Sequence, residues 1–140
     1  MTILQLENVT GGYTRKPVIK NLSFEISKGE LVGLIGLNGA GKSTTIKHII
    51  GTLLPREGEI RLNGVTLKEN IDMYRSSFSY IPETPVLYEE LTLKEHLELT
   101  AMAYGLDGQT LAARSERLLK EFRMEKRLNW FPSHFSKGMR

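Results

Sequence analysis

The chain of 140 residues contains no cysteine, which excludes a disulfide framework, thiolate metal ligation and a cysteine nucleophile together and suits a reducing compartment. Histidine is scarce. His48, His96 and His134 are the only three, and they lack the spacing and acidic company of a metal centre. Apolar runs are short: none approaches the ~18 residues a membrane-spanning helix needs. The opening Met1-Thr2-Ile3-Leu4-Gln5-Leu6-Glu7 has no basic segment followed by an apolar stretch, so no secretory signal is read there and a cytoplasmic location is expected. Repeats and low-complexity segments are also missing. Nineteen basic against sixteen acidic residues leave a net charge of +3. These charges are interspersed rather than gathered into a tail, and nucleic acid is not expected as a partner.

With 40% hydrophobic and 25% charged positions, the composition is that of a globular chain. Leu4 and Leu6 alternate with Gln5 and Glu7, and Leu22, Phe24 and Ile26 alternate with Ser23, Glu25 and Ser27. Both segments read as strands with one wet face, the pattern of an antiparallel sheet. Leu31-Val32-Gly33-Leu34-Ile35 is apolar without alternation, which predicts a strand buried on both faces in a parallel sheet. A helix is expected from about Ser43 to Ile50. Glu59-Ile60-Arg61-Leu62 reads as a strand ending in Asn63-Gly64, a hairpin signal, and Phe78-Ser79-Tyr80-Ile81 as a short strand closed by Pro82.

Beyond Pro82 the pattern turns helical. Thr92-Leu93-Lys94-Glu95 forms a capping box that opens a helix to about Tyr104. Gly105 and Gly108 break that helix, and Leu111, Leu118, Leu119 and Phe122 then recur on one face of a second. Arg114, Arg117, Lys120, Arg123 and Lys126 fall mostly off that face and read as a solvated surface.

Gly36-Leu37-Asn38-Gly39-Ala40-Gly41-Lys42-Ser43 matches the phosphate-loop pattern G-x-x-x-x-G-K-[ST], placed between an expected strand and an expected helix. By average composition, a chance match in a chain of this length arises about once in two hundred sequences. The residue types suit the chemistry. Glycines let backbone N–H groups converge on an anion, and the helix start adds further N–H groups and its positive dipole end. Lys42 supplies a compact charge for the β- and γ-phosphates, and the Ser43 hydroxyl is a hard oxygen ligand for Mg²⁺. Thr44 is placed to reach another phosphate oxygen. The loop therefore points to a nucleoside di- or triphosphate with magnesium, and by itself leaves GTPase, kinase, helicase and transport ATPase all open.

Four further features narrow the field. Gly12-Tyr13 followed by Pro17-Val18-Ile19-Lys20-Asn21-Leu22-Ser23-Phe24, the antiparallel strands before the loop, Tyr80-Ile81-Pro82-Glu83 after it, and Phe135-Ser136-Lys137-Gly138-Met139 resemble, in order, the ATP-binding subunits of ABC transporters. The resemblance runs through the whole chain. It implies an α/β fold: a P-loop NTPase core with an N-terminal antiparallel β-subdomain over residues 1–90 and an inserted helical subdomain over 91–140. It also implies that the chain stops before the strand bearing the family's acidic pair, so that it holds nucleotide weakly without turning it over.

The same resemblance places adenine on Tyr13 and phosphates on Gly36 to Thr44. Glu83 stands where the family carries a glutamine that meets magnesium and the attacking water. A carboxylate keeps the oxygen that binds Mg²⁺ and lacks the amide donor, which leaves the water-positioning role open. Ser136, Lys137 and Gly138 match the signature that contacts the ATP held by a second ATP-binding subunit, although three of its five positions depart from the family pattern. Lys137 either adds a cation there or points to solvent. Glu83 with this signature is similar to the Ecs-type branch of bacterial exporters. Implied partners are ATP, Mg²⁺, a second such subunit and a transmembrane permease subunit, with the protein peripheral on the inner face of the membrane. Pro85-Val86-Leu87-Tyr88 suits either docking on the permease or an ordinary buried loop, and Trp130-Phe131-Pro132 reads as packing. Two other functions stay open: a soluble ABC ATPase acting on nucleic acid or the ribosome, and a non-catalytic nucleotide-binding module.

Overall fold

A computed structural model describes residues 1–140, which divide into two compact units, Met1–Tyr80 and Ile81–Arg140. In the first, strands β1 (Thr2–Gly11), β2 (Ile19–Ser27), β3 (Glu57–Leu62) and β4 (Val65–Thr66) form one sheet in the order β2-β1-β3-β4, antiparallel throughout. Period-two alternation sets the register. Leu4 lies opposite Ile26 on one side and Leu62 on the other, and Leu6 opposite Phe24 and Ile60, so the apolar set gathers on one face. Leu4, Leu6, Val9, Ile19, Ile60, Leu62 and Tyr74 are the buried core, with Leu22, Phe24 and Phe78 packed against it. Each fully buried side chain of this kind contributes roughly 1.5–3 kcal/mol. The Asn63-Gly64 turn between β3 and β4 takes positive φ at both residues, 48° and 83°, as a two-residue hairpin requires.

Helix α1 (Lys42–Ile49) starts one residue earlier than the sequence pattern suggests. It ends in a Schellman motif, with Gly51 N–H donating to the His48 carbonyl and Thr52 N–H to that of Lys47 while Gly51 holds φ at 76°. Helix α2 (Ile71–Ser76) is capped by Asn70, whose side chain accepts from the Met73 amide at 2.9 Å.

Two expected strands are corrected. Leu31 to Ile35 is irregular and pairs with no strand, and Leu31 and Ile35 stand 99% and 95% exposed. Residues 78–81 form no strand either. An apolar run reports a tendency to be buried, whereas a strand exists only through hydrogen bonds to a neighbour, and none lies beside these segments.

The second unit contains α3 (Leu93–Ala103) and α4 (Gly108–Glu121), then short 3-10 turns at Glu125–Arg127 and Pro132–His134. The capping box is formed: Glu95 N–H donates to Thr92 Oγ1 at 3.3 Å, and Thr92 N–H donates to Glu95 Oε2 at 2.7 Å. Amides of Leu93 and Lys94 donate to the Trp130 and Leu128 carbonyls, satisfying the start of α3 from a distant loop. Gly105 closes α3, again in a Schellman motif. Gly108, expected as a breaker, is instead the first residue of α4, because Asp107 before it caps the helix by accepting from the Thr110 amide at 2.8 Å. The leucine face of α4 lines a groove of about 530 Å³ with Leu97, Leu111, Leu119 and Leu128. Of Trp130-Phe131-Pro132, Pro132 is fully buried, whereas Trp130 and Phe131 each stand 38% exposed, so packing holds for the proline and only in part for the two aromatics. No helix is long and apolar enough to cross a membrane.

Candidate functional site

The loop from Gly36 to Lys42 leads directly into α1. Gly39 and Gly41 hold φ at 82° and 98°, a region that only glycine enters without strain. A Cβ on Gly41 would lie 2.8 Å from Cγ2 of Ile19, and one on Gly36 3.3 Å from the Ala40 Cβ. The loop is therefore folded tightly on itself and on the start of β2. The Ala40 amide donates to the Leu37 carbonyl at 3.1 Å to close the bend.

Gly41 is the N-cap of α1, with no side chain to offer the first amides, and the first turn has no acidic residue. Those amides and the positive end of the helix dipole face the loop, the arrangement that attracts anions. Lys42 Nζ donates to the carbonyls of Gly36 at 2.5 Å and Leu37 at 2.8 Å. The ammonium group thus lies across the loop that its own backbone follows, a cation held at the same place as the amides. Asn38 stands exposed at the bend, and Ser43 stands exposed in the first turn. Thr45 anchors that turn from beneath, its hydroxyl donating to the Gly41 carbonyl at 3.0 Å.

Tyr13 sits in the connection between β1 and β2, which is closed by the Val18 amide donating to the Gly11 carbonyl at 2.8 Å. Its ring is 56% exposed, and Lys47 Nζ approaches to 5.1 Å from the ring centroid. Hydrogen bonding from the side chains of Lys47 and then Thr44 holds the Tyr13 hydroxyl below its ordinary pKa. Thr44 is itself buried, at 4%. The structure thus brings Tyr13, Gly36 to Thr44 and α1 together in the first unit. Lys47 was not among the residues singled out from sequence. The available signal was helical spacing: three and four residues after Thr44 and Ser43, it shares their side of α1.

Glu83, Ser136, Lys137 and Gly138 belong to the second unit. Glu83 is exposed in an irregular segment. Ser136, Lys137 and Gly138 are exposed in a turn where the Ser136 carbonyl accepts from the amides of Met139 at 2.9 Å and Arg140 at 3.2 Å. Val86 in the neighbouring apolar stretch is 90% exposed, while the Tyr88 amide donates to His96 Nε2 at 3.1 Å. Of the three histidines, His48 lies in the core, its Nδ1–H donating to the Leu53 carbonyl at 2.7 Å.

The sequence profile of the family described as ABC transporter matches residues 19–140. The chain is 66% identical over all 140 residues to the ABC-type transporter ATP-binding protein EcsA of Bacillus subtilis, covering 57% of that protein. It is 44% identical to the uncharacterized ABC transporter ATP-binding protein YthP of the same organism over 98% of its length, covering 54% of YthP. A solved ATP-binding subunit of an ABC transporter superposes on 98% of the chain with a TM-score of 0.91 at 58% identity, the match spanning 57% of that subunit. A second, a putative ABC transporter ATP-binding protein from Pyrococcus furiosus, gives 0.78 at 26% identity. The chain thus spans somewhat over half the length of the relatives it matches, and its architecture is that of their P-loop NTPase fold. The profile over residues 19–140, with the loop geometry of Gly36 to Ser43 inside it, shows that the chain belongs to the ABC transporter family.

Proposed function

We propose that this chain is the phosphate-holding part of an ATP-binding subunit, and that it binds Mg-ATP with the triphosphate on the loop from Gly36 to Thr44 and the base on Tyr13. The observation that carries this reading is the convergence of the uncapped first turn of α1 with the Lys42 ammonium group on one glycine-lined loop. A Cβ at Gly41 would press on Ile19, so glycine there lets the loop hold its bend against β2, and a bend of successive backbone N–H groups is what receives an anion. Ser43 presents a hydroxyl oxygen beside it, a hard donor that fits magnesium with waters completing the shell. When bound, the ion offsets charge on the β- and γ-phosphates. Lys42 does the same as a point charge, the helix amides orient the phosphate oxygens, and Thr45 supports the turn from beneath.

In a protein of the relatives' length, this site would power transport through a transmembrane permease subunit on the cytoplasmic side of a membrane. Glu83 would supply a carboxylate oxygen on the magnesium side. Ser136, Lys137 and Gly138 would meet the ATP of a second ATP-binding subunit, which their exposed turn permits. That EcsA and YthP are both named as ABC transporter ATP-binding proteins supports the transport reading.

Calorimetric titration of the chain with Mg-ATP tests the binding claim. Saturable binding that Lys42→Ala weakens at least tenfold is expected. Binding unaffected by that substitution would place the nucleotide elsewhere and defeat the proposal.

A further inference from the structure

We infer that Lys47 is a positioning residue for the base platform, gripping the Tyr13 ring from α1 so that the adenine and triphosphate subsites are held as one piece. This rests on the reading of Tyr13 as the surface that receives the base.

The geometry begins with the connection that carries Tyr13. It leaves β1 at Gly11 and returns at Val18, and the Tyr13 ring near its start is more than half exposed. A tyrosine on such a loop has a choice of side-chain rotamers and would lose that freedom when a base stacks on it. Lys47 removes part of the choice beforehand. Its Nζ lies 5.1 Å from the ring centroid, within the range where an ammonium group is attracted to an aromatic ring. A cation on one side of the ring leaves the other side for a flat ligand.

Lys47 stands on the same eight-residue helix whose first turn carries Lys42, Ser43 and Thr44. The lowered pKa of Tyr13, set first by hydrogen bonding from the Lys47 side chain, fits that placement. The base platform is therefore referenced to the phosphate helix rather than to its own loop. Rings placed in advance bind more tightly because less freedom is lost on binding. Lys47 is exposed, so its replacement leaves the core intact.

The experiment compares two ligands. Mg-ATP needs the platform, and inorganic tripolyphosphate with magnesium needs only the loop. In the full 140-residue chain, Lys47→Met is expected to weaken Mg-ATP about three- to fivefold, the size of an exposed cation–aromatic contact. Tripolyphosphate binding should not change, and Lys47→Arg should restore ATP affinity. Tyr13→Ala should weaken ATP, and adding Lys47→Met to it should cost nothing more, because the two side chains act as a unit. Equal losses for both ligands would make Lys47 a phosphate contact and overturn the inference. So would full additivity with Tyr13→Ala, or an unchanged ATP affinity in Lys47→Met when Tyr13→Ala does weaken ATP. An ATP affinity unmoved by Tyr13→Ala would overturn the platform reading itself, and the inference with it.

Discussion

Gly11 and His48 are fitted to each other: a Cβ on Gly11 would lie 2.6 Å from Cε1 of His48 and nearer still to Nε2. The imidazole, 1% exposed, fills the space beside β1 that a larger residue would take, and so seats the phosphate-loop helix on the sheet. Its Nδ1–H is committed to the Leu53 carbonyl, while Nε2 is buried without a partner. Gly11→Ala is therefore expected to destabilise the first unit by about 1–3 kcal/mol through overpacking. His48→Ala should also destabilise it, by cavity formation and a lost hydrogen bond. Because the two changes relieve one another sterically, the double variant should be less destabilised than the sum. Urea denaturation of the four chains checks this, and strict additivity would separate the two residues.

Gly39 and Gly41 both hold positive φ, yet only Gly41 is packed. A Cβ at Gly39 would meet nothing within 4 Å, whereas one at Gly41 would press on Ile19. Gly39→Ala is expected to cost about 1 kcal/mol from backbone strain alone. Gly41→Ala should add a steric term of similar size or more and reduce Mg-ATP affinity at least tenfold by shifting the start of α1. Thermal melts and ATP titrations on the two variants separate strain from displacement.

The Tyr74 hydroxyl donates to the Ile49 carbonyl at 2.6 Å, joining α2 to the end of α1, and burial pushes its pKa up to about 12. Tyr74→Phe should cost about 1–2 kcal/mol below pH 10. Burial disfavours the phenolate, so the unfolded chain, with its ordinary value near 10, loses the proton first. The contribution of Tyr74 is thus complete below about pH 10 and declines as pH rises toward 12. The stability difference between the two chains should shrink over that range. A constant difference would mean that Tyr74 titrates as it does in the unfolded chain.

Thr92 and Glu95 cap α3 reciprocally, and hydrogen bonds from the Thr92 amide and then its hydroxyl hold the Glu95 carboxyl below its ordinary pKa. Thr92→Ala should destabilise α3 by about 1 kcal/mol. A depressed carboxylate stabilises above its unfolded value and loses that contribution as pH falls through the folded one. Helicity of the second unit should accordingly fall on acidification below about pH 4.5, and less so in Glu95→Gln. Circular dichroism at 222 nm across pH 2–6 follows both.

Much of this was legible beforehand because the signals are local. The alternation at Leu4 and Leu6, the Asn63-Gly64 turn, the capping box at Thr92 and the phosphate loop each depend on residues close in sequence, so spacing carries them. Leu31 to Ile35 was misread because pairing is a property of two strands and the run describes only one. Gly108 was misread because Asp107 before it overrode its helix-breaking tendency.

The sequence by itself determined the glycines, the lysine and the hydroxyls of the phosphate loop, since an anion site of this kind is written in consecutive residues. Only the tertiary structure decided what surrounds them. Ile19 forces glycine at 41, Gly11 makes room for His48, and Lys47 grips Tyr13, a residue 34 positions earlier in the chain. Those contacts join β1, β2 and α1 across loops, and close packing in three dimensions sets them.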